Sequence, residues 1–438
     1  MVKSFMRIFG IVKMHRFRFF LSQFMMFVAA LATVGYATLI APLVNEGMVA
    51  GNAEAALRIG LWMLVLGLVM GICMAIAASQ AVYFSQGAGY VVRRFLYDKI
   101  QSYSFENFDH LSTGNLMVRL NADAVNVQNA MQYAIMLGSY APFMLLATII
   151  LAILNTPDLV WVLVIVVAVV LLLMWWLIPA VDRAYKERQE RLDDLNQTLQ
   201  ENLTGISVVK AFVREDYEIE KFNQRAEAIR VPALAAAWRV AFLSPLLTGV
   251  GQLAIILTIG VGGTQVLSGS GLTVGQVSAF TSYMSLIIAP LALMAIVVPL
   301  VLRGDVSAAR ILQAYDAEPV VDDKDGAVAQ DLENIRGHIA FENVTFAFRR
   351  PDGELDPPAL KNINLAIEPG QKVGFLGATG AGKSALINLI PRFYDVTDGR
   401  ITIDGIDVRD IPQDNLRQIV GIALQEAVLF QGDMRFNL

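Results

Sequence analysis

The sequence is short of charge and almost free of cysteine. Asp, Glu, Lys and Arg make up 17% of its 438 residues, against about 25% in an ordinary soluble protein. Its one cysteine, Cys73, lies inside an apolar run, which rules out an intramolecular disulfide. The three histidines, His15, His110 and His338, stand far apart, and no Cys/His spacing of a metal site occurs. The net charge is −5 with no sustained basic patch, so no nucleic-acid partner is expected. What the chain has in excess is apolar. It is 55% hydrophobic with a mean hydropathy of +0.53, and the excess falls in long charge-free runs. That distribution marks transmembrane helices rather than a large soluble core.

No Asp, Glu, Lys or Arg occurs in 19–45, 59–92, 124–157 or 159–181. The run 240–302 is too long for one span, and the turn-rich "GGTQVLSGSGLTVGQ" at 262–276 divides it in two. A hydrocarbon core of ~30 Å takes about 20 helical residues, so these runs predict six spans. Each must be a helix, because lipid offers no partner to backbone N–H and C=O groups. Pro42, Pro142, Pro179, Pro245, Pro290 and Pro299 lie in or at the ends of the spans, where neighbouring helices can cover the freed groups. Gly67 and Gly71, four apart, suggest a face for close helix approach.

Basic residues orient the bundle. Lys3, Arg7, Lys13, Arg16 and Arg18 precede the first span. Arg93, Arg94, Lys99 and Arg119 fall in the connection 93–123, and ten Lys or Arg fall in 182–239. The three opposite connections hold only Arg58. The positive-inside bias therefore predicts a cytosolic location for both termini and both long connections. The small-x-small "ALA" at 30–32 raises a signal peptide, but the apolar run exceeds the ~7–15 residues of such a segment. Residues 19–45 read as a retained first span. The expected order is a basic cytosolic segment 1–18, a transmembrane domain 19–302, a linker 303–337 and a last domain 338–438.

The connection 182–239 reads as helical. Leu192, Leu195, Leu199, Leu203 and Ile206 form a stripe at spacings of three and four. Two arms of about 25 residues would reach roughly 35–40 Å from the membrane. Gly205 is placed to break the helix, and the apolar "VVKAF" at 208–212 would end the lever in a docking helix.

After the sixth span, the acidic, turn-forming stretch 316–337 reads as linker. "HIAFENVTFAF" (338–348) and "KVGFLG" (372–377) read as strands. The second runs into Gly377, Ala378, Thr379, Gly380, Ala381, Gly382, Lys383 and Ser384, and "ALINLI" begins a helix. Strand, glycine loop and helix are the context of a phosphate-binding loop. Glycines let successive backbone N–H groups point at phosphate oxygens. Lys383 would reach the terminal phosphates and the Ser384 hydroxyl would hold Mg²⁺, which makes ATP and Mg²⁺ the expected ligands. Two similar stretches fail on context. "LSGSG" at 267–271 lies between two spans on the outer side, and "PVVDD" at 319–323 has too short an apolar run for a strand.

Together these pieces resemble an ABC transporter half of the exporter type. The resemblance implies a six-helix membrane bundle with long cytosolic extensions, followed by part of an α/β P-loop ATPase domain. "TGNLMVRLNAD" (113–123) is similar to the family's first intracellular-loop motif, with Asn115 where an acidic residue is commoner. "ENLTGISVVKAFVREDYEIEKF" (201–222) is similar to the second, which in the family docks into the partner's ATPase domain. "GATGAGKS" resembles the Walker A loop, followed here by Ala385 where a second hydroxyl is usual. Phe348 stands at the position of the aromatic that stacks on adenine. Gln425 matches the Q-loop glutamine and is implied to contact Mg²⁺ and the attacking water. The family's signature loop, Walker B Asp, catalytic Glu and switch His would lie beyond Leu438. The chain is therefore expected to be a partial copy, inactive in hydrolysis as written. The implied function is ATP-driven export of a small lipophilic or amphipathic substrate, multidrug- or lipid-exporter-like, by alternating access. A second half-transporter and the lipid of a bacterial cell membrane are the implied partners. The alternatives are a nucleotide-binding subunit that does not transport, and an importer of siderophore type on the same fold.

Overall fold

The computed structural model describes residues 3–12, 16–269, 271–324, 326–350, 353–423 and 429–437. The chain divides into two compact units. The first comprises the residues up to Gly89 together with Asn126–Asp305, and the second Tyr90–Val125 with Val306–Leu438.

The helices in chain order are α1 (Lys3–Ile11), α2 (Arg16–Thr38), a short α3 (Ile40–Pro42) running into a π-helical turn (Leu43–Val49), and α4 (Ala53–Gln101). Then come α5 (Phe105–His110), α6 (Thr113–Val118), α7 (Ala124–Tyr133), α8 (Ser139–Asn155), α9 (Val160–Thr204), α10 (Ile206–Ala211), α11 (Glu215–Leu267) and α12 (Val274–Tyr315). Among the described residues, five stretches are long and apolar enough to cross a membrane: Arg16–Val49, Ala53–Gln101, Thr113–Asn155, Pro157–Thr204 and Glu215–Leu267. The sixth predicted span falls on α12, which is apolar over Val274–Ile288 and meets no charge before Arg303.

The first unit packs through small residues. Along α2 the buried positions are Ser22, Met26, Ala29, Ala30, Ala32, Thr33, Val34 and Ala37, and along α8 they are Ala141, Met144, Ala147, Thr148 and Ala152. Spacings of three and four put each set on one face, and small side chains let the two backbones approach without any hydrophobic drive from lipid. Leu159, Leu163, Val170, Leu247, Phe280, Tyr283 and Met284 fill the space beyond them. Buried hydroxyls turn back on their own helix: Thr33 donates to the Ala29 carbonyl at 2.7 Å and Thr148 to that of Met144 at 2.7 Å. No polar atom is thereby stranded. The outward face of α4 carries Leu61, Trp62, Leu64, Leu68 and Ile72, all exposed. A face this apolar marks a surface that meets lipid or another protein. At Gly67 and Gly71 nothing lies within 4 Å of an added Cβ, so the expected close approach is not made among the described residues. The predicted stripe ends on α10 rather than α9 and is only partly covered, with Leu199 and Leu203 of α9 and Ile206 of α10 exposed.

The second unit holds the C-terminal end of α4 from Tyr90, α5, α6, the end of α12 and a four-stranded antiparallel sheet. The strands are β1 (Ile339–Phe346), β2 (Leu360–Ile367), β3 (Asp398–Ile403) and β4 (Ile406–Asp407), in the order β2-β1-β3-β4. α13 (Lys383–Leu389) and α14 (Gln413–Ile419) complete it. Leu386 and Leu389 of α13 and Leu416 of α14 pack with Phe341, Val344, Phe346, Ile401 and Ile403 of the sheet. Asp404 and Gly405, with φ of 49° and 86°, make the β3–β4 turn. Positive φ at both central residues gives a turn whose twist matches the strands it joins.

Two expectations are corrected here. "KVGFLG" (372–377) forms no strand and pairs with none of the four. Its Leu376 is 100% exposed; a strand exists only through its ladder, and residues 372–377 make none with the described strands. The segment read as a linker from 303 is also not loose. Residues 303–315 continue α12, because Leu312 and Ala314 bury themselves at helical spacing from Ala308 and Ile311. The remainder is fixed by side chains: Gln330 and Asn415 exchange two bonds, at 2.7 and 3.1 Å, and Lys324 pairs with Asp410 at 2.6 Å.

Candidate nucleotide-binding site

The glycine loop sits between segment 371–376, exposed except for the partly buried Phe375, and α13. Gly380 (φ 86°) and Gly382 (φ 83°) both occupy the left-handed region, which a side chain strains. Gly382 is also crowded, since a Cβ there would come within 2.7 Å of the Ala359 carbonyl oxygen. The Lys383 ammonium bends over the loop and donates to the carbonyls of Gly377 and Ala378, each at 2.8 Å. The loop therefore presents backbone, one cation and the exposed Ser384 to solvent. That donor set fits a polyphosphate: N–H groups and an ammonium, with no carboxylate among residues 377–384. Ala385 is buried and packs into the domain core, so its methyl has a packing role where a hydroxyl would face apolar side chains. Among the described residues no group of three or more His, Cys, Asp and Glu could hold a metal. Gln425 lies outside the described residues.

Phe348 lies at the same end of the sheet as the loop. Phe346 of β1 pairs with Leu360 of β2, and Leu360 with Ala359 forms the wall against Gly382. Two residues beyond Phe346, the Phe348 ring is partly exposed. It meets Phe346 edge-on at 4.8 Å and Tyr394 edge-on at 5.5 Å. The ring borders a cleft of about 330 Å³, whose other wall is α5 with Glu106, Asp109 and His110. The helix α5 is itself well anchored. Phe105 stacks on Phe393 at 4.0 Å, and Arg349 Nε lies 3.3 Å from Glu106 Oε1. Burial pushes the Glu106 carboxyl above its usual range, against the pull of Arg349 and His110.

Comparison with known proteins agrees with this layout. The sequence model of the ABC transporter transmembrane region matches residues 19–291, and a second model, described as ABC transporter, matches 360–436. The chain belongs to the ABC transporter family. It is 31% identical over 434 residues to an ATP-dependent lipid A-core flippase of Syntrophus aciditrophicus, covering 99% of this chain and 71% of that protein. It is 30% identical over 400 residues to the uncharacterized ABC transporter ATP-binding protein YfiB of Bacillus subtilis, covering 91% of this chain and 68% of that protein. A second lipid A-core flippase, from Desulfotalea psychrophila, is 29% identical over 376 residues. This ABC transporter chain is thus an exporter-type half, a membrane domain fused to a nucleotide-binding domain.

Several residues around the site escape a reading of the sequence. Asp109 and Glu106 lie far from the glycine loop along the chain, and no spacing links them to it or to Tyr394. The one local signal is the aromatic pair Phe393–Tyr394 just after the loop's helix. It reads as core, which the burial of both rings supports, yet each also reaches α5.

Proposed function

We propose that this ABC transporter half binds ATP with Mg²⁺ at Gly377–Ser384 and uses it, paired with a second half, to export a lipophilic or amphipathic substrate. The glycine loop carries the reading, with Lys383 held at its mouth and Gly382 too crowded for any side chain. In this reading Lys383 leaves its two carbonyls for the phosphates, and the loop N–H groups donate to the remaining phosphate oxygens. The Ser384 hydroxyl takes one metal position and Gln425 another, and Phe348 stacks on the base. Bound Mg²⁺ neutralises charge between the phosphates and so favours phosphoryl transfer. Two relatives are named as lipid A-core flippases, which supports a lipid-like cargo. So does a bundle whose interior carries no charged side chain within the runs 19–45, 59–92, 124–157 and 159–181. The Lys and Arg of 93–123 and 182–239 support cytosolic placement of both termini, and the bacterial relatives support a bacterial cell membrane.

The test has two stages. The purified chain is titrated with fluorescent mant-ATP, and Lys383→Ala should weaken binding at least tenfold. Inverted vesicles bearing the assembled transporter are then assayed for ATP-dependent movement of a fluorescent short-chain phospholipid. Binding indifferent to Lys383→Ala would remove the site. Movement in the opposite direction would favour the importer reading.

A further inference from the structure

Phe348 is not held by its own strand alone. Its ring meets the Tyr394 ring nearly at right angles, 86° at 5.5 Å. The Tyr394 hydroxyl donates to Asp109 Oδ2 on α5 at 2.9 Å. Burial, and then the Asp109 carboxylate, push the tyrosine hydroxyl well above its usual range, so it keeps the proton it donates. The next residue, Arg349, reaches the same helix through Glu106. The helix α5 offers a fixed anchor. The Asn107 side chain is buried, accepts from the Ser104 and Val320 backbone N–H groups at 3.0 and 3.2 Å, and donates to the Glu318 carbonyl at 2.8 Å. The cleft of about 330 Å³ beside Phe348 is within the size range of small-ligand sites, about 300–1,000 Å³.

We propose that Tyr394 and Asp109 are positioning residues for the nucleotide base: the Asp109–Tyr394 hydrogen bond fixes the ring against which Phe348 rests, and so fixes the Phe348 face offered to a purine. The inference rests on the nucleotide reading above and goes beyond it. It assigns part of the base affinity to a residue on the arm between the second and third spans, 239 positions before Phe348 (348 − 109 = 239). The phosphates have no part in it. A ring freed from its edge partner can rotate among several orientations, and stacking then costs the entropy of choosing one.

That separation supplies the test. Two probes are titrated against the full chain: ATP, which has a base, and inorganic tripolyphosphate, which has only the charge for the glycine loop. Tyr394→Phe keeps the ring and deletes the hydroxyl, and Asp109→Ala deletes the acceptor. Each should weaken ATP by about three- to tenfold, the range of an aromatic edge contact. Tripolyphosphate should stay within about twofold of the unaltered chain. Asp109→Asn, whose amide oxygen can accept the same bond, should restore ATP binding. Equal weakening of both probes would mean general damage and overturn the proposal, as would unchanged ATP affinity in Tyr394→Phe and Asp109→Ala. A chain that binds neither probe, or binds both equally well with Lys383→Ala, would instead sink the nucleotide site on which the proposal stands.

Discussion

Asp404 shows how much one side chain can fasten. It sits at positive φ in the β3–β4 turn, and its carboxylate accepts from the backbone N–H groups of Arg336 at 2.8 Å, Gly337 at 3.3 Å and His338 at 2.9 Å. Those bonds secure the entry to β1. Burial by itself would raise its carboxyl, but the three N–H groups and the Arg336 charge hold it below the ordinary value. A carboxyl depressed on folding adds stability above its unfolded pKa, and that share is lost as pH falls through the folded value. Asp404→Ala should therefore cost about 1–2 kcal/mol at pH 7, toward the lower end because the turn is partly exposed. The cost should shrink on acidification below about pH 4. Urea unfolding of the variant and the unaltered chain at pH 7 and in acid checks this, and parallel pH profiles would count against it. Arg392 does similar work for the segment after α12. It is buried, at φ 56°, and pairs with Asp395 at 2.8 Å while donating to the Asp322 carbonyl at 2.9 Å. An Asp-Gly turn can be read from two letters; bonds to residues 66–70 positions away cannot.

Among elements, α10 stands out for what it leaves uncovered. Gly205 ends α9 with a φ of −92° and the six residues Ile206–Ala211 form their own short helix, as the sequence "TGISVVKAF" suggests. Val208, Phe212 and Val213 are all strongly exposed, Phe212 at 74%. Apolar side chains at the tip of a long, otherwise charged lever are costly in water unless a partner covers them. In the assembled transporter, Phe212→Asp should cut substrate movement severalfold while mant-ATP binding stays near normal. Because the ring is exposed, the variant's own stability should shift by less than about 0.5 kcal/mol. Unchanged phospholipid movement in the vesicle assay would remove α10 as a docking element. By contrast α5, also six residues, gave no warning in the sequence. Its apolar residues are two phenylalanines, Phe105 stacked on Phe393 and Phe108 edge-on to Tyr103, and a helix so short has no periodicity to detect.

For the molecule as a whole, the topology prediction is the most direct. With Cys73 replaced by Ser, single cysteines at Asn196 and Ser268, both exposed, are treated with a membrane-impermeant maleimide in intact cells. Labelling at Ser268 and protection at Asn196 are expected from the Lys and Arg of 182–239, and the reverse pattern would invert the model. The sequence by itself determined the six apolar runs, their helical state and the glycine loop. The physical reason is that each is a local rule: lipid forces every backbone group to pair within its own helix, and left-handed backbone at Gly380 and Gly382 needs glycine wherever they lie. The tertiary structure alone decided that "KVGFLG" pairs with no strand here, that residues 303–315 prolong α12, and that Asp109 holds Tyr394 beside Phe348. A strand, a helix end and a hydrogen bond between distant residues are all settled by neighbours that sequence order does not name. Apolar runs record only the solvent, which every residue of a span shares, whereas a pairing depends on which two surfaces meet.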